Sequence, residues 1–294
     1  MRRFIPLSAL CIAAGIVSAC TPDATIPTTT PPTAGVRFIN AVPDTAGAFG
    51  MDFHFVDVVE NNENFRISFR NSPAASGIAV ATTIEYKPAQ AGSRHFAIFF
   101  DDTIQSIAST KLADTTVTLV AGHNYSAILW GNARSTGSDK MHLTFIDETV
   151  ADPGAQIALR VVNATNAPID ASQYAQGGTA PASASWSNVQ PYSASTYITA
   201  APGNIMYNVK AAGTATNMFA DLQAPPGAVA FSSAGAGGKI DEIAVPGTAV
   251  AGSAITLFVF PRSAAGSRTP QTAAFIIPAG AFAWDRRPPN PPGV

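Results

Sequence analysis

The stretch Val36-Arg37-Phe38-Ile39-Asn40-Ala41 returns later in the chain as Leu159-Arg160-Val161-Val162-Asn163-Ala164. Other short matches follow in the same order, while the spacing between them drifts, as in two copies of one fold whose loops differ in length. These pair Tyr86 and Gly92 with Tyr197 and Gly203, Val120-Ala121-Gly122 with Val250-Ala251-Gly252, and Phe145-Ile146 with Phe275-Ile276. The recurrence predicts a duplicated chain.

Composition points to a weakly charged, turn-rich protein. Charged residues make up 12% of the 294 residues, and glycine and proline number 23 each, whereas ordinary globular proteins carry about 25% charged residues. The formal net charge is −2, and the Lys and Arg residues are scattered, so no basic stripe could neutralise several phosphates. Nucleic acid is therefore not expected as a partner.

The amino terminus has the pattern of an export signal. Arg2 and Arg3 precede an apolar run from Phe4 to Ala19, which is shorter than the ~20 residues of a membrane-spanning helix. Residues 17–20, Val-Ser-Ala-Cys, resemble a bacterial lipobox. This resemblance implies that Cys20 becomes the lipidated first residue, although an ordinary signal peptide that leaves Cys20 as a free thiol is the alternative.

The rest of the chain divides by composition. Residues 20–35 contain the lipidated Cys and a Thr- and Pro-rich segment, which predicts an extended tether. The turn signal Asp152-Pro153-Gly154 marks a boundary. We therefore expect one repeat over 36–152, a second over 153–284, and an exposed Pro-rich tail over 285–294.

Apolar residues alternate in short runs, the pattern of half-buried strands. Met51, Phe53 and Phe55 alternate with polar neighbours, and further short runs are bounded by Gly, Pro, Asn or Asp. No long run has helical periodicity. The predicted fold is all-β, with two tandem immunoglobulin-like or related β-sandwich domains.

The repeated segments resemble a bacterial surface family known as domain of unknown function 4397. Its repeats open with a strand carrying Arg and then His or Asn followed by Ala, continue through a Pro-Asp turn, and enter later strands from Ala-Gly turns. The first copy has Arg37, Asn40, Ala41, Pro43 and Asp44, and the second has Arg160, Asn163, Ala164 and Pro168. The resemblance implies an extracytoplasmic β-sandwich module and supplies no catalytic residues.

Arg and Asn recur within otherwise apolar strands, and two interpretations are open. In the structural one, Asn40 and Asn163 bond turn backbone while each Arg pairs with a carboxylate such as Asp52 or Asp170. In the other, these residues form a ligand site.

Residues suited to chemistry are present but do not form a known motif. The four histidines, His54, His95, His123 and His142, lack ligand spacing for zinc. The acidic pairs Asp101-Asp102, Asp147-Glu148 and Asp241-Glu242 are adjacent in sequence and face opposite ways on a strand, so they are interpreted as solvent contacts at strand ends. Residues 234–239 look like part of a phosphate loop, but the flanking positions that should hold Gly and Ser or Thr hold Ser233 and Ile240. We expect no catalytic residue, metal or cofactor.

Among the aromatic residues, Trp130 ends an apolar strand and is expected in the core. Trp186 lies among Ser and Ala and is the candidate for an exposed ligand contact, such as stacking on a sugar ring. The alternative is an ordinary inter-strand aromatic.

The leading functional expectation is a non-enzymatic structural, adhesion or interaction module at the bacterial cell envelope, anchored to the membrane through Cys20. Its partner would be an envelope protein or a polysaccharide. Thr21 rather than Asp after the cysteine favours the outer membrane in a Gram-negative cell. The alternatives are a carbohydrate-binding lipoprotein and, in third place, a hydrolase or metal-dependent enzyme.

Overall fold

Strands make up nearly all of the regular structure in the computed structural model, which describes residues 30–45, 50–58, 66–71, 84–230 and 243–289. Those of the first half are β1 Thr33–Asn40, β2 Gly50–Phe55, β3 Arg66–Ser68, β4 Lys87–Gln90, β5 Gly92–Phe100, β6 Lys111–Leu119, β7 Asn124–Trp130 and β8 His142–Asp147. Those of the second half are β9 Ile157–Asn163, β10 Ile169–Ala175, β11 Trp186–Val189, β12 Ser193–Ala194, β13 Ile198–Ala200, β14 Ile205–Ala211, β15 Asn217–Gln223, β16 Ala254–Phe260 and β17 Ala279–Arg286. A 3-10 turn, Phe69–Asn71, and a single helical turn, α1 Gln105–Ala108, accompany them.

Each half is a sandwich of two sheets. In the first half, outer sheet 1 has the order β3-β2-β5-β6 and inner sheet 1 has the order β4-β1-β7-β8. In the second half, inner sheet 2 has the order β12-β9-β16-β17, with β13 also paired to β9, and outer sheet 2 has the order β11-β10-β14-β15. The predicted all-β sandwich fold is confirmed.

The central strands of the inner sheets pair in parallel. β1 runs parallel to β7, and β9 runs parallel to β16, with Arg37 opposite Ser126 and Arg160 opposite Thr256. Every residue of β9 and β16 is buried. Strands covered on both faces carry continuous apolar runs rather than alternating ones, which explains the sequence Ala-Ile-Thr-Leu-Phe-Val-Phe of β16.

The second face of these strands is covered because the two inner sheets pack against each other. Val36 and Phe38 face the core within the first sandwich, while Ile39 and Ala41 face a shared core with Phe258 and Phe260 of the second half. Burying one such Phe stabilises the fold by about 1.5–3 kcal/mol. The four sheets are thus stacked as outer sheet 1, inner sheet 1, inner sheet 2 and outer sheet 2, and the described residues from Pro32 onward cluster as one compact unit.

Strand ends differ from the sequence-based boundaries in two places, and one of the predicted repeat matches fails. β1 begins at Thr33, inside the predicted tether, because residues 33–36 pair with β4. β17 extends to Arg286, inside the predicted tail, because Ala254 of β16 pairs with Arg286. The match of Phe145-Ile146 to Phe275-Ile276 is wrong: residues 145–146 lie in β8, whereas residues 275–276 lie in the loop before β17.

The leader, Cys20 and most of the tether lie outside the described residues, as do residues 234–239, Asp241-Glu242 and the end of the tail. Within the described ranges, no helix has the length and apolar character needed to cross a bilayer.

Candidate functional site

The two recurring asparagines bond the turns that follow their strands, as the structural interpretation predicted. Asn40 Oδ1 accepts a hydrogen bond from the Val42 amide at 3.1 Å, and Asn40 Nδ2 donates to the Ile67 carbonyl at 3.0 Å. Asn163 Oδ1 accepts the Thr165 amide at 2.9 Å, and its Nδ2 donates to the Val189 carbonyl at 2.9 Å. The oxygen and the nitrogen of each side-chain amide therefore bond inside the protein.

The two recurring arginines pair with carboxylates, but not with the predicted ones. Arg37 donates to Asp285 Oδ1 at 2.6 Å and to Glu148 Oε1 at 3.3 Å. Arg160 is paired with Glu148 and lies 4.0 Å from Asp285 Oδ1. These four side chains, which we call the buried quartet, are at most 5% exposed and lie between the inner sheets.

The prediction of Asp52 and Asp170 as partners is wrong, because Arg37 and Arg160 both point into the contact between the halves. Asp170 instead accepts the amides of Asn188 at 2.7 Å and Gly213 at 2.9 Å. Asp52 is on β2, where burial and the nearby Asp101 raise the pKa of its carboxyl. The interpretation of Glu148 as a solvent contact is also wrong, since its side chain is inaccessible.

The quartet has the same surroundings on its two sides. Arg37 Nε donates to Ser126 Oγ at 2.6 Å, and Arg160 Nε donates to Thr256 Oγ1 at 2.9 Å. The Tyr86 ring lies 4.6 Å from the Arg37 guanidinium, and the Tyr197 ring lies 4.6 Å from that of Arg160.

Burial raises the pKa of both tyrosines, Tyr86 and Tyr197, so both keep their protons. Burial alone would lower the pKa of Arg37, but the charge and the hydrogen bond of Asp285 raise it. The quartet is thus an enclosed structural contact in which two guanidinium groups face two carboxyl groups.

A further buried arginine, Arg70, joins the halves without a carboxylate. It lies in the 3-10 turn with a left-handed φ of 59° and is 0% exposed. Its guanidinium donates to the carbonyls of Pro261 at 3.1 Å, Ala274 at 3.1 Å and Phe275 at 3.1 Å, and also to Ile277. Desolvation lowers its pKa to about 10. Arg70 therefore fixes the loop after β16, residues 261–278, against the first half.

Two of the four histidines each pair with one aspartate. His95 Nε2 lies 2.5 Å from Asp114 Oδ1, and His123 Nδ1 lies 2.8 Å from Asp147 Oδ2, both at exposed positions. Among the described residues, no three His, Cys, Asp or Glu side chains converge as metal ligands.

Trp186 lies in the core of the second sandwich and is 5% exposed. Its ring stacks on Tyr207 with the centroids 6.0 Å apart and the planes at 10°, and its Nε1 donates to the Thr196 carbonyl at 3.2 Å. The ring borders an open hollow of about 420 Å³ but has too little exposed surface to stack on a sugar. Trp130 is in the core, as expected, at 1% exposure.

The described residues form a cleft of about 490 Å³ where the four central strands end. Its lining includes the residue that directly follows β7, β9 and β16, and a residue of the turn after β1. In that order these are Gly131, Ala164, Pro261 and Pro43. Because β1 is parallel to β7 and β9 to β16, the carboxyl ends of all four strands meet at this one place between the halves, and such junctions are common ligand sites.

The walls of the cleft are held by bonds between the halves. The Ala264 amide donates to the Pro43 carbonyl at 2.8 Å, and the Arg268 amide donates to the Thr45 carbonyl at 2.9 Å. Tyr192 packs on Trp130 with centroids 5.9 Å apart. The cleft is therefore preformed rather than assembled on binding.

The polar side chains of the cleft are amides, hydroxyls and one guanidinium. They are Asn132, Asn166, Gln271, Ser263, Tyr192 and Arg262. Ser263 is 4% exposed and its Oγ has no partner among the described residues. Burial, with Asp139 and Asp44 nearby, raises the pKa of Tyr192 to about 12, so the phenol stays neutral. This set can bind through hydrogen bonds and one positive charge.

Comparison with known proteins gives a match to part of the chain. Residues 34–170 match a known family model. The family is described as Domain of unknown function (DUF4397). No curated protein matches the chain. Among solved structures, one similar chain is that of a candidate cell adhesion protein from Parabacteroides distasonis ATCC 8503, at 8% identity and a TM-score of 0.20, over 87% of this chain and 99% of that one.

The DUF4397 match begins in β1 and ends in β10, so it contains Arg37, Arg160 and Glu148 but not Asp285. Sequence reasoning missed the cleft, because its residues follow the strands rather than belong to them. The sequence feature that could have indicated the cleft is the recurring end of a strand, followed by a turn, after Asn40 and Asn163.

Proposed function

We propose that this chain is a non-enzymatic interaction module of the bacterial cell envelope, anchored to the membrane through a lipid on Cys20. The partner is an envelope protein or polysaccharide, and the compartment is the outer membrane of a Gram-negative cell. Both halves are copies of the DUF4397 domain. The signal-like leader, the Val-Ser-Ala-Cys sequence at 17–20 and the following Thr support the anchor and its location.

The preformed cleft between the halves is the observation that carries the interaction role. The side chains that recur between the halves, Arg37 with Arg160 and Asn40 with Asn163, are enclosed and spent on structure. Arg262 and Asn166, by contrast, are exposed in the cleft and have no side-chain partner among the described residues. The fold thus keeps a rigid frame and leaves polar groups available at one opening.

Matching geometry supports the proposal of two domain copies. Arg37 opposite Ser126 corresponds to Arg160 opposite Thr256. The amide of Gly122 donates to Thr33 and that of Gly252 donates to Gln156 at the equivalent turns, both at 2.8 Å. Ile146 lies opposite Ser126, and Glu148 follows two residues later. In the same way, Ala283 lies opposite Thr256, and Asp285 follows two residues later.

Capture of envelope components tests the interaction role. The full chain, cross-linked in cells, should retain a specific envelope protein or polysaccharide, and Arg262→Gln with Asn166→Ala should reduce that capture at least about tenfold while the protein stays folded. Unchanged capture by the double variant would show that the cleft is not the contact. A catalytic turnover that one substitution abolishes would overturn the non-enzymatic role.

Lipid labelling tests the anchor separately. The wild-type chain should incorporate a labelled fatty acid and partition into detergent, because acyl chains gain about 0.8 kcal/mol per buried CH₂. Cys20→Ser should do neither, while Cys11→Ser should behave as wild type. Equal labelling of the wild type and Cys20→Ser contradicts the anchor.

A further inference from the structure

We infer that the cleft between the halves binds a glycan that carries a carboxylate, with Arg262 contacting the carboxylate and the side-chain amides contacting sugar hydroxyls. This inference rests on the proposed interaction role and names its ligand class. The cleft volume of about 490 Å³ lies within the usual range for small-molecule sites, roughly 300–1,000 Å³.

The charge of the cleft favours an anionic group. Arg262 is exposed, and among the described residues its side chain has no ion pair or hydrogen bond. No carboxylate is among the described lining residues. Asp44 accepts the amides of Ala133 at 2.6 Å and Arg134 at 3.0 Å, so it is already bonded.

Asp139, beside the cleft, is committed in the same way. Its oxygens accept hydrogen bonds from Asn132 Nδ2 at 2.6 Å and from Ser135 Oγ, and these bonds lower the pKa of its carboxyl. Arg262 is therefore the charge in the described lining that remains for a ligand, and the planar guanidinium suits a carboxylate in a two-bond arrangement.

The uncharged lining favours sugar over peptide. Asn166 offers both a donor and an acceptor, the pairing that adjacent hydroxyl groups offer. Asn132 Nδ2 already donates to Asp139 and Gln271 Nε2 to the Thr269 carbonyl, so these two side chains offer their amide oxygens as acceptors for sugar hydroxyls. An extended peptide commonly gains affinity by adding to a sheet edge. The cleft lies at strand ends and loops, so it offers no such edge. The apolar lining is largely small, for example Ala164 and Ala264, which leaves no deep socket for a large protein side chain.

A mutant and ligand cycle tests the inference. The full chain in detergent is screened against an array of uronate-containing oligosaccharides, the same oligosaccharides with methyl-esterified carboxyls, and acidic peptides. We expect the wild-type chain to bind at least one uronate oligosaccharide and to bind its methyl ester at least about tenfold more weakly. The Arg262→Gln variant should bind the acid with no more than the affinity that the wild-type chain has for the ester. Asn166→Ala should weaken acid and ester alike.

Arg268→Gln is the matched control, because Arg268 is an exposed arginine of the same loop that does not line the cleft, and it should bind as wild type. A blank uronate array, equal affinity for acid and ester, or a preference for the acid that survives Arg262→Gln overturns the inference. Binding of acidic peptides alone also overturns it. If envelope capture still depends on the cleft in those cases, the proposed function stands and only the glycan assignment fails.

Discussion

Replacing Arg37 with Met should destabilise the whole fold, because it unbalances the buried quartet. The wild-type quartet has two positive and two negative side chains that are all at most 5% exposed. Without Arg37, only Arg160 faces the carboxylates of Glu148 and Asp285. It contacts the first but lies 4.0 Å from the second.

The expected loss follows from the groups left without a partner. Removing one member of a buried ion pair costs about 3–5 kcal/mol, and total stability is commonly about 5–15 kcal/mol. Adding Asp285→Asn removes the excess negative charge, so the double variant should recover about 1–3 kcal/mol of that loss, as coupled sites do. Because Ser126 Oγ and the Trp284 carbonyl also lose the Arg37 donor, recovery should be incomplete.

Urea unfolding followed by tryptophan fluorescence measures these losses, since the Trp284 ring packs edge-on against Tyr86 at 5.4 Å beside Arg37. Arg66→Met is the control: Arg66 bonds Asp101 at 2.7 Å but is 49% exposed, so its loss should stay within about 1 kcal/mol. If Arg37→Met costs no more than Arg66→Met, the quartet does not stabilise the contact between the halves.

Three further results are expected. Arg70→Lys keeps the charge, but its ammonium cannot reach all the carbonyls that the guanidinium bonds, and unpaired buried carbonyls cost about 1–3 kcal/mol each. Limited proteolysis should therefore cut residues 261–278 faster in the variant, and an unchanged rate would show that Arg70 does not hold this loop. Trp186→Ala should lower the free energy of unfolding by about 3–5 kcal/mol, because the ring is buried against Tyr207; a stable variant that only loses ligand would reverse this reading. Burial alone would raise the pKa of Asp57, but hydrogen bonds from Arg94 and from backbone amides lower it. The ionised Asp57 therefore stabilises the fold above the unfolded pKa of about 3.9, and this contribution is lost as pH falls further. The stability difference between wild type and Asp57→Asn should shrink below about pH 4, and a constant difference would show that the Asp57 pKa is not lowered by folding.

Sequence reasoning located most strands but not their partners. Met51, Phe53 and Phe55 alternate because β2 covers one core and its other face is partly exposed, so periodicity was enough. For β1 and β9, alternation is hidden because both faces are buried. The repeated Arg could be seen to need a carboxylate, but Asp285, far away in the chain, could not be selected over the nearby Asp52.

The sequence by itself determined that the described fold is all-β, that an Asn closes the first strand of each half, and that Arg37 and Arg160 hold corresponding positions. These features depend on local periodicity, turn chemistry and recurrence. Only the tertiary structure decided that the inner sheets pack face to face, that Glu148 and Asp285 neutralise both arginines, and that four strand ends form one cleft. Those outcomes depend on contacts between residues far apart in the chain, because the second face of an apolar strand does not specify which surface covers it.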